Sequence, residues 1–315
     1  MDNLLSTADV PPQFLKAAML LGHIPWRSLP SDPRISYALY VPPTQYNPSL
    51  TSTSPSSEKL PLLVFIHGTR RSISAIDGDD DLVPFADSLP CAILAPLFPI
   101  GLDGPNDLDS YKLLRSRGVR SDLALLHMLD EVARRWPGIS TERIFLMGFS
   151  GGGQFAQRFL YLYPETIAAV SIGAPGRVTH LDEQRKWPGG IADVEALFGR
   201  QVDREGIQKV KIQLVVGDQD NVLHGGEKFW EWVREMKAKA PGKDGSLEGK
   251  AADEGGLEGM RQGRVDTIRE LQAKWRQEGI DAHLDVVEGM GHDSKPARGV
   301  VLEFLKSAML DRAGQ

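Results

Sequence analysis

Ser150 lies in Gly148-Phe149-Ser150-Gly151-Gly152-Gly153, a turn whose residue types suit nucleophilic catalysis. A serine hydroxyl attacks well only when a base takes its proton and nearby dipoles receive the charge that the attack creates. The preceding Arg143-Ile144-Phe145-Leu146-Met147 reads as a buried strand. The following stretch, 154–163, has apolar residues at helical spacing and stops at Pro164. Strand, G-x-S-x-G and helix, in that order, is the context a nucleophile elbow requires. Small residues permit the tight turn. The helix start offers free N–H groups and a positive dipole end to a developing oxyanion.

The partners such a serine needs occur downstream. Residues 210–216, Val-Lys-Ile-Gln-Leu-Val-Val, read as a buried strand ending in Gly217-Asp218-Gln219-Asp220-Asn221. An acid just past a strand end is well placed to hold an imidazole, and Asp218 and Asp220 compete for that role. Residues 282–287 read as another strand. It leads into Glu288-Gly289-Met290-Gly291-His292-Asp293, a glycine-rich loop that carries His292. Ser150 would be the nucleophile and His292 the general base and then general acid. The acid would fix the tautomer of His292 and stabilise its imidazolium form. The order Ser, Asp, His is the one this elbow motif uses.

Upstream, the apolar strand 60–66 runs into His67-Gly68-Thr69. With that segment the chain resembles the α/β-hydrolase superfamily, in particular its esterase, polyhydroxybutyrate-depolymerase-like and dienelactone-hydrolase-like branches. The resemblance rests on His67-Gly68-Thr69, Gly148 to Gly152, Gly217 to Asp220 and Gly291-His292, and it spans residues 34–310. It implies an α/β fold: a mostly parallel central sheet with helices on both faces, a small cap insertion, and a site at the carboxyl ends of the strands. It also implies Asp220, three residues past Gly217, as the triad acid. The backbone N–H groups of Gly151 and Thr69 would form the oxyanion hole. His67-Gly68-Thr69 departs from the HGGG form of some lipases. His67 is expected to pack its loop. Arg70 and Arg71, which follow at once, read first as a solvated turn and second as cations for an anionic substrate.

Composition narrows the classes. The 315 residues are 41% hydrophobic, enough for one large core over 1–315. A net charge of −6 argues against a nucleic-acid surface. The single cysteine, Cys91, allows no intrachain disulfide and reads as a buried strand residue. The start, Met1-Asp2-Asn3, lacks the basic region of a signal peptide. The apolar patch 14–24 is broken by Lys16, Gly22 and His23 and reads as a short helix on the body or a pocket cover. With no candidate membrane span, a soluble, cytoplasmic protein is expected. No phosphate-binding glycine loop with lysine and no clustered Cys/His spacing occurs, so neither cofactor nor metal is expected.

The remaining elements must position the site. Strands are expected at 34–41, 61–66, 91–95 and 167–172, and helices at 119–135, 264–278 and 295–311. The acidic cluster 77–81 reads as a solvated turn rather than a calcium loop. The loop 96–109 contains Phe98, Asn106 and Asp107 and lies where pocket walls form in such folds. Tyr111 and Lys112 read first as surface helix and second as site lining. Residues 173–208 are irregular and expected as a cap, with Trp187 and Phe198, together with Phe98, as candidate substrate contacts. The alternative for the cap aromatics is that they pin it to the body. Residues 236–263 are rich in Lys, Gly, Glu and Ala and read as a mobile surface insertion. The combined expectation is a serine hydrolase cleaving a small or medium carboxylic ester through an acyl-enzyme. The same triad also serves acyl transfer, lactone opening or cyclisation. A non-catalytic small-molecule binder is the reading from another class.

Overall fold

The apolar runs read from the sequence become strands of one eight-stranded sheet. In the computed structural model, residues 5–71, 82–105, 107–221 and 263–313 are described. The acidic cluster 77–81, Asn106 and all of 236–263 except Gly263 lie outside the described residues.

The strands are β1 (Gly22–Leu29), β2 (Asp32–Val41), β3 (Leu60–Ile66), β4 (Ala92–Leu97), β5 (Ile139–Phe149), β6 (Ile167–Gly173), β7 (Lys211–Gly217) and β8 (His283–Val287). Their spatial order is β1-β2-β4-β3-β5-β6-β7-β8. β1 and β2 pair antiparallel, β2 runs antiparallel to β4, and every other pairing is parallel. β3, β6 and β7 are buried at nearly every position, as parallel strands covered on both faces must be.

The helices are α1 (Leu82–Ser88), α2 (Ser121–Arg135), α3 (Gly151–Leu162), α4 (Val194–Phe198), α5 (Arg204–Gln208), α6 (Arg264–Gln277) and α7 (Arg298–Ala313). Side chains alternate across a strand, so neighbouring residues feed two different cores. Leu62, Val64 and Ile66 pack with Leu125 and Met128 of α2, Phe155 of α3 and Ile268 of α6. Leu63 joins Phe85 of α1 and Val301 and Leu305 of α7 on the other face. Each large apolar side chain so buried contributes about 1.5–3 kcal/mol. Cys91 is fully buried just before β4, where burial pushes its thiol up to about 12.

The N-terminal expectation is corrected. The patch 14–24 forms a 3₁₀ turn, Pro12–Phe14, and then enters β1, an antiparallel edge strand. Pro25 explains the choice, since proline fits an edge strand and a register shift follows Ile24. The preceding segment is tied to the far end of the molecule. Trp136 Nε1 donates to Leu20 O (2.8 Å) and the Thr7 amide to Arg135 O (2.8 Å). Trp136 immediately follows α2, at the entry end of β5, so this segment cannot cover a site at the exit end. Among the described residues, no helix is long and apolar enough to cross a membrane.

Candidate active site

The chain leaves β3 for β4 on one flank and returns as β5 on the other. Such a reversal opens a crevice at the carboxyl ends of the strands, where ligands of open α/β sheets bind. Three further ends, those of β6, β7 and β8, lie in order beside it.

At the end of β5 the backbone turns sharply into α3. Ser150 has φ 57° and ψ −112°, a strained conformation for a non-glycine residue that costs about 1–3 kcal/mol. The surroundings impose it. The Ser150 amide donates to Gly173 O at 2.8 Å, and all twelve residues of α3 are buried. A side chain at Gly152 would collide with Ile66 O at the end of β3, so glycine is what lets α3 start there.

His292 stands between Ser150 and Asp220. Its Nε2 is 2.9 Å from Ser150 Oγ, and its Nδ1 is 2.6 Å from Asp220 Oδ2. A carboxylate only accepts, so Nδ1 carries the proton and Nε2 is left to accept from the serine hydroxyl. The two loops are laid on each other by their backbones. The Asp218 amide donates to Val287 O and the Gln219 amide to Met290 O, each at 3.0 Å. Gly217 makes this possible, because a Cβ there would overlap Met290 O. Of the two competing acids, Asp220 is the one on the imidazole, whereas Asp218 is exposed.

Asp220 is fully buried and has a second partner, Arg264, whose Nη1 is 2.8 Å from Oδ1. Burial by itself would raise the carboxyl. The hydrogen bond and charge of His292, joined by Arg264, outweigh it and hold Asp220 below the usual carboxylate range. Arg264 escaped the sequence reading because nothing in its position at the start of α6, 44 residues from Asp220, marks it.

Thr69 and Gly151 meet across the crevice. A Cβ on Gly151 would lie 2.9 Å from Thr69 Oγ1. Neither amide donates a hydrogen bond among the described residues. His67 supports this loop from below. Its Nδ1–H donates to Gly68 O (2.9 Å), and its Nε2 accepts from the Phe98 amide (3.0 Å). It is 1% exposed, and burial pulls its pKa down to about 4, so it is neutral at ordinary pH.

The three aromatic candidates face protein. Phe98 is fully buried, stacked on Tyr111 (5.5 Å) and Phe155 (5.6 Å), and this corrects the expectation that its ring meets substrate. Trp187 is half-buried. Its indole N–H donates to Leu113 O (2.8 Å) and its ring packs edge-on against Phe198 (5.1 Å). Phe198 is buried beneath the Arg120 guanidinium. Large rings bury more area against the body than in an open crevice, and here they pin 174–210 to it. The contacts of Thr179 with Gln157, Arg158 and Tyr161 place that segment along the second and third turns of α3.

Tyr111 and Lys112 belong to a buried 3₁₀ turn, Ser110–Leu113, and not to a surface helix. The Tyr111 hydroxyl donates to His67 O at 3.1 Å. Arg158, a lone cation in the apolar pattern of α3, is fully buried and donates to Lys112 O (2.7 Å) and Thr179 Oγ1 (3.0 Å). That isolated charge was the sequence signal for the turn it holds. Among the described residues, no group of three or more His, Cys, Asp or Glu side chains could hold a metal.

No protein-family model and no curated protein matches the sequence. Solved structures do match. A poly(3-hydroxybutyrate) depolymerase from Bordetella parapertussis is similar over 95% of this chain and 94% of its own, with a TM-score of 0.62 and 20% identity. Poly(aspartic acid) hydrolase-1 from Sphingomonas sp. KT-1 is similar over 86% and 93%, with a TM-score of 0.59 and 18% identity. A ferulic acid esterase is similar over 88% and 91%, with a TM-score of 0.53 and 13% identity. The strand order, the turn into α3 and these likenesses establish that the chain has the α/β-hydrolase fold.

Proposed function

We propose that the chain is a serine hydrolase that cleaves a small or medium carboxylic ester through an acyl-enzyme. The observation that carries this reading is the hydrogen-bonded series Ser150 Oγ, His292, Asp220 at 2.9 and 2.6 Å, set at the switch point of the sheet. Ser150 Oγ attacks the ester carbonyl while His292 Nε2 takes its proton. The carbonyl oxygen becomes an oxyanion facing the amides of Thr69 and Gly151. Such donors are each worth roughly 10²–10³ in rate. Asp220 holds the imidazolium that forms. His292 then returns the proton to the departing alkoxide, which leaves as the alcohol. Water enters, loses a proton to His292 and releases the acid from Ser150 by the same steps reversed.

The fold neighbours that act on poly(3-hydroxybutyrate) and on ferulic acid esters support ester cleavage as the reaction class. The test is turnover of p-nitrophenyl esters from acetate upward, with the burst that acyl-enzyme build-up produces. Steady turnover that vanishes in Ser150→Ala supports the reading. Turnover that survives in that variant overturns it.

A further inference from the structure

One side of the oxyanion hole is lined by cations. A Cβ placed on Gly151 would collide with Tyr111 Oη and lie 2.8 Å from Lys112 Cε. The Lys112 side chain therefore reaches the residue whose amide receives the oxyanion. It is only 7% exposed. Its ammonium bonds Asp109, whose side chain is 58% exposed at the rim, and lies 5.9 Å from the Tyr111 ring. Arg71 approaches the same ring, its guanidinium 4.8 Å from the centroid. Nε of Arg71 donates to Phe98 O (3.1 Å) and Nη1 to Thr69 O (2.6 Å). Its Nη2 is buried and has no hydrogen-bond partner among the described residues.

Arg158 adds a third charge behind Lys112, and Arg177 acts on Arg158 in turn. Burial, reinforced by Arg71 and Arg158, lowers Lys112, and Asp109 only partly restores it. The group is placed rigidly. Arg158 clamps Lys112 O, and Asp107 accepts from the Ser110 amide (2.8 Å). Collecting buried cations around one ring is costly unless an anion joins them, and an orphaned buried donor calls for a partner. Lysine has three donor hydrogens and arginine a planar fork, together well suited to a carboxylate.

We propose that this cluster of cations beside the oxyanion hole binds a carboxylate, through Lys112 Nζ and Arg71 Nη2, so that the substrate is an ester that also bears a free carboxylate. The proposal rests on the serine-hydrolase reading of Ser150 and narrows its substrate class. Lys112 and Arg71 are specificity residues here: the carboxylate orients the ester so that its carbonyl meets Ser150 and the two amides.

The experiment follows the rate at which a neutral fluorophosphonate labels Ser150 in the full-length protein. Monoethyl glutarate and diethyl glutarate, which differ by one ethyl group and one negative charge, compete with the probe. A charge-assisted contact predicts protection by the monoester at concentrations about tenfold lower than by the diester. Because Lys112 is only 7% exposed and Arg71 Nη2 is buried, salt screens this contact little, and most of the advantage is expected to persist in about 0.5 M salt. Lys112→Met reduces the advantage and Lys112→Arg retains it. Equal protection by the two esters in the wild-type protein overturns the carboxylate site even if Lys112→Met fails to fold. Absence of labelling in folded wild-type protein instead overturns the serine-hydrolase reading on which the site depends.

Discussion

Two histidines flank Ser150, both in loops at the carboxyl ends of strands, and their surroundings give them opposite characters. His67, after β3, is closed off by backbone groups on both ring nitrogens and is 1% exposed. His292, after β8, has a side chain 31% exposed, with a hydroxyl on one nitrogen and a buried carboxylate on the other. A backbone carbonyl and a backbone amide cannot follow a changing charge, so His67 is confined to its neutral form. A carboxylate can, because its charge grows more favourable as the imidazole gains a proton. Burial and the kind of partner, and not residue type or distance from the serine, separate His67, closed into its loop, from His292, the proton carrier we propose.

The comparison is broken most severely by removing what His292 serves. Ser150→Ala is expected to lower kcat/KM by about 10⁶-fold with the fold intact, as loss of a triad serine does elsewhere; circular dichroism beside the ester assay checks both halves. Next comes the acid. Asp220→Asn is expected to cost about 10⁴-fold by favouring the wrong tautomer, while Asp218→Asn stays within about twofold of wild type, as suits an exposed surface residue. The reverse ranking would move the acid to Asp218.

Arg264 sharpens the contrast further, because it shares the charge of Asp220 with His292. In Arg264→Gln the carboxylate has one cation left to satisfy and stabilises the imidazolium more. Losing Arg264 also lets the Asp220 carboxyl rise, so the acid limb of the kcat/KM profile is expected to move to higher pH. An unmoved limb would reduce Arg264 to a tie between α6 and the acid loop.

The smallest effect concerns His67 and stability. Its folded pKa of about 4 lies below the ordinary histidine value, so as pH falls the unfolded chain takes up the proton first. Stability is therefore complete above about pH 6.5 and is lost progressively toward pH 4, by about 1–3 kcal/mol. Thermal melting across that window should show a flatter slope in His67→Gln than in the wild-type protein. Equal slopes would mean that His67 protonates as readily folded as unfolded.

Much of this arrangement was legible in the residues. The elbow around Ser150 announces itself because a strand, a glycine-flanked serine and a helix leave few other ways to fold. The strand before Gly217 and the loop of His292 were visible from β-branched runs and glycines. Local pattern carries no information on which distant side chains meet. Residue pattern leaves Asp218 and Asp220 in competition and only the family resemblance points to Asp220; in the fold, the acid loop hangs from Val287 and Met290 and Asp220 meets His292. Arg264 had no local signature at all. The 14–24 segment misled because its apolar residues suit a helix while Gly22 and Pro25 suit the edge strand that forms. Phe98, Trp187 and Phe198 pack on protein, which for the cap aromatics is the alternative the sequence leaves open. Aromatic residues near a site are as useful for fixing loops to the core as for meeting a ligand, and composition does not separate the two uses.

The central claim is that His292 makes Ser150, among all the hydroxyls of the chain, an acyl acceptor. It is tested most directly by labelling the folded protein with a fluorophosphonate and mapping the modified peptide. One adduct per chain, on Ser150, that is lost when His292 is replaced by Ala, is the predicted result. An unlabelled folded protein, or an adduct on any other residue, would contradict it.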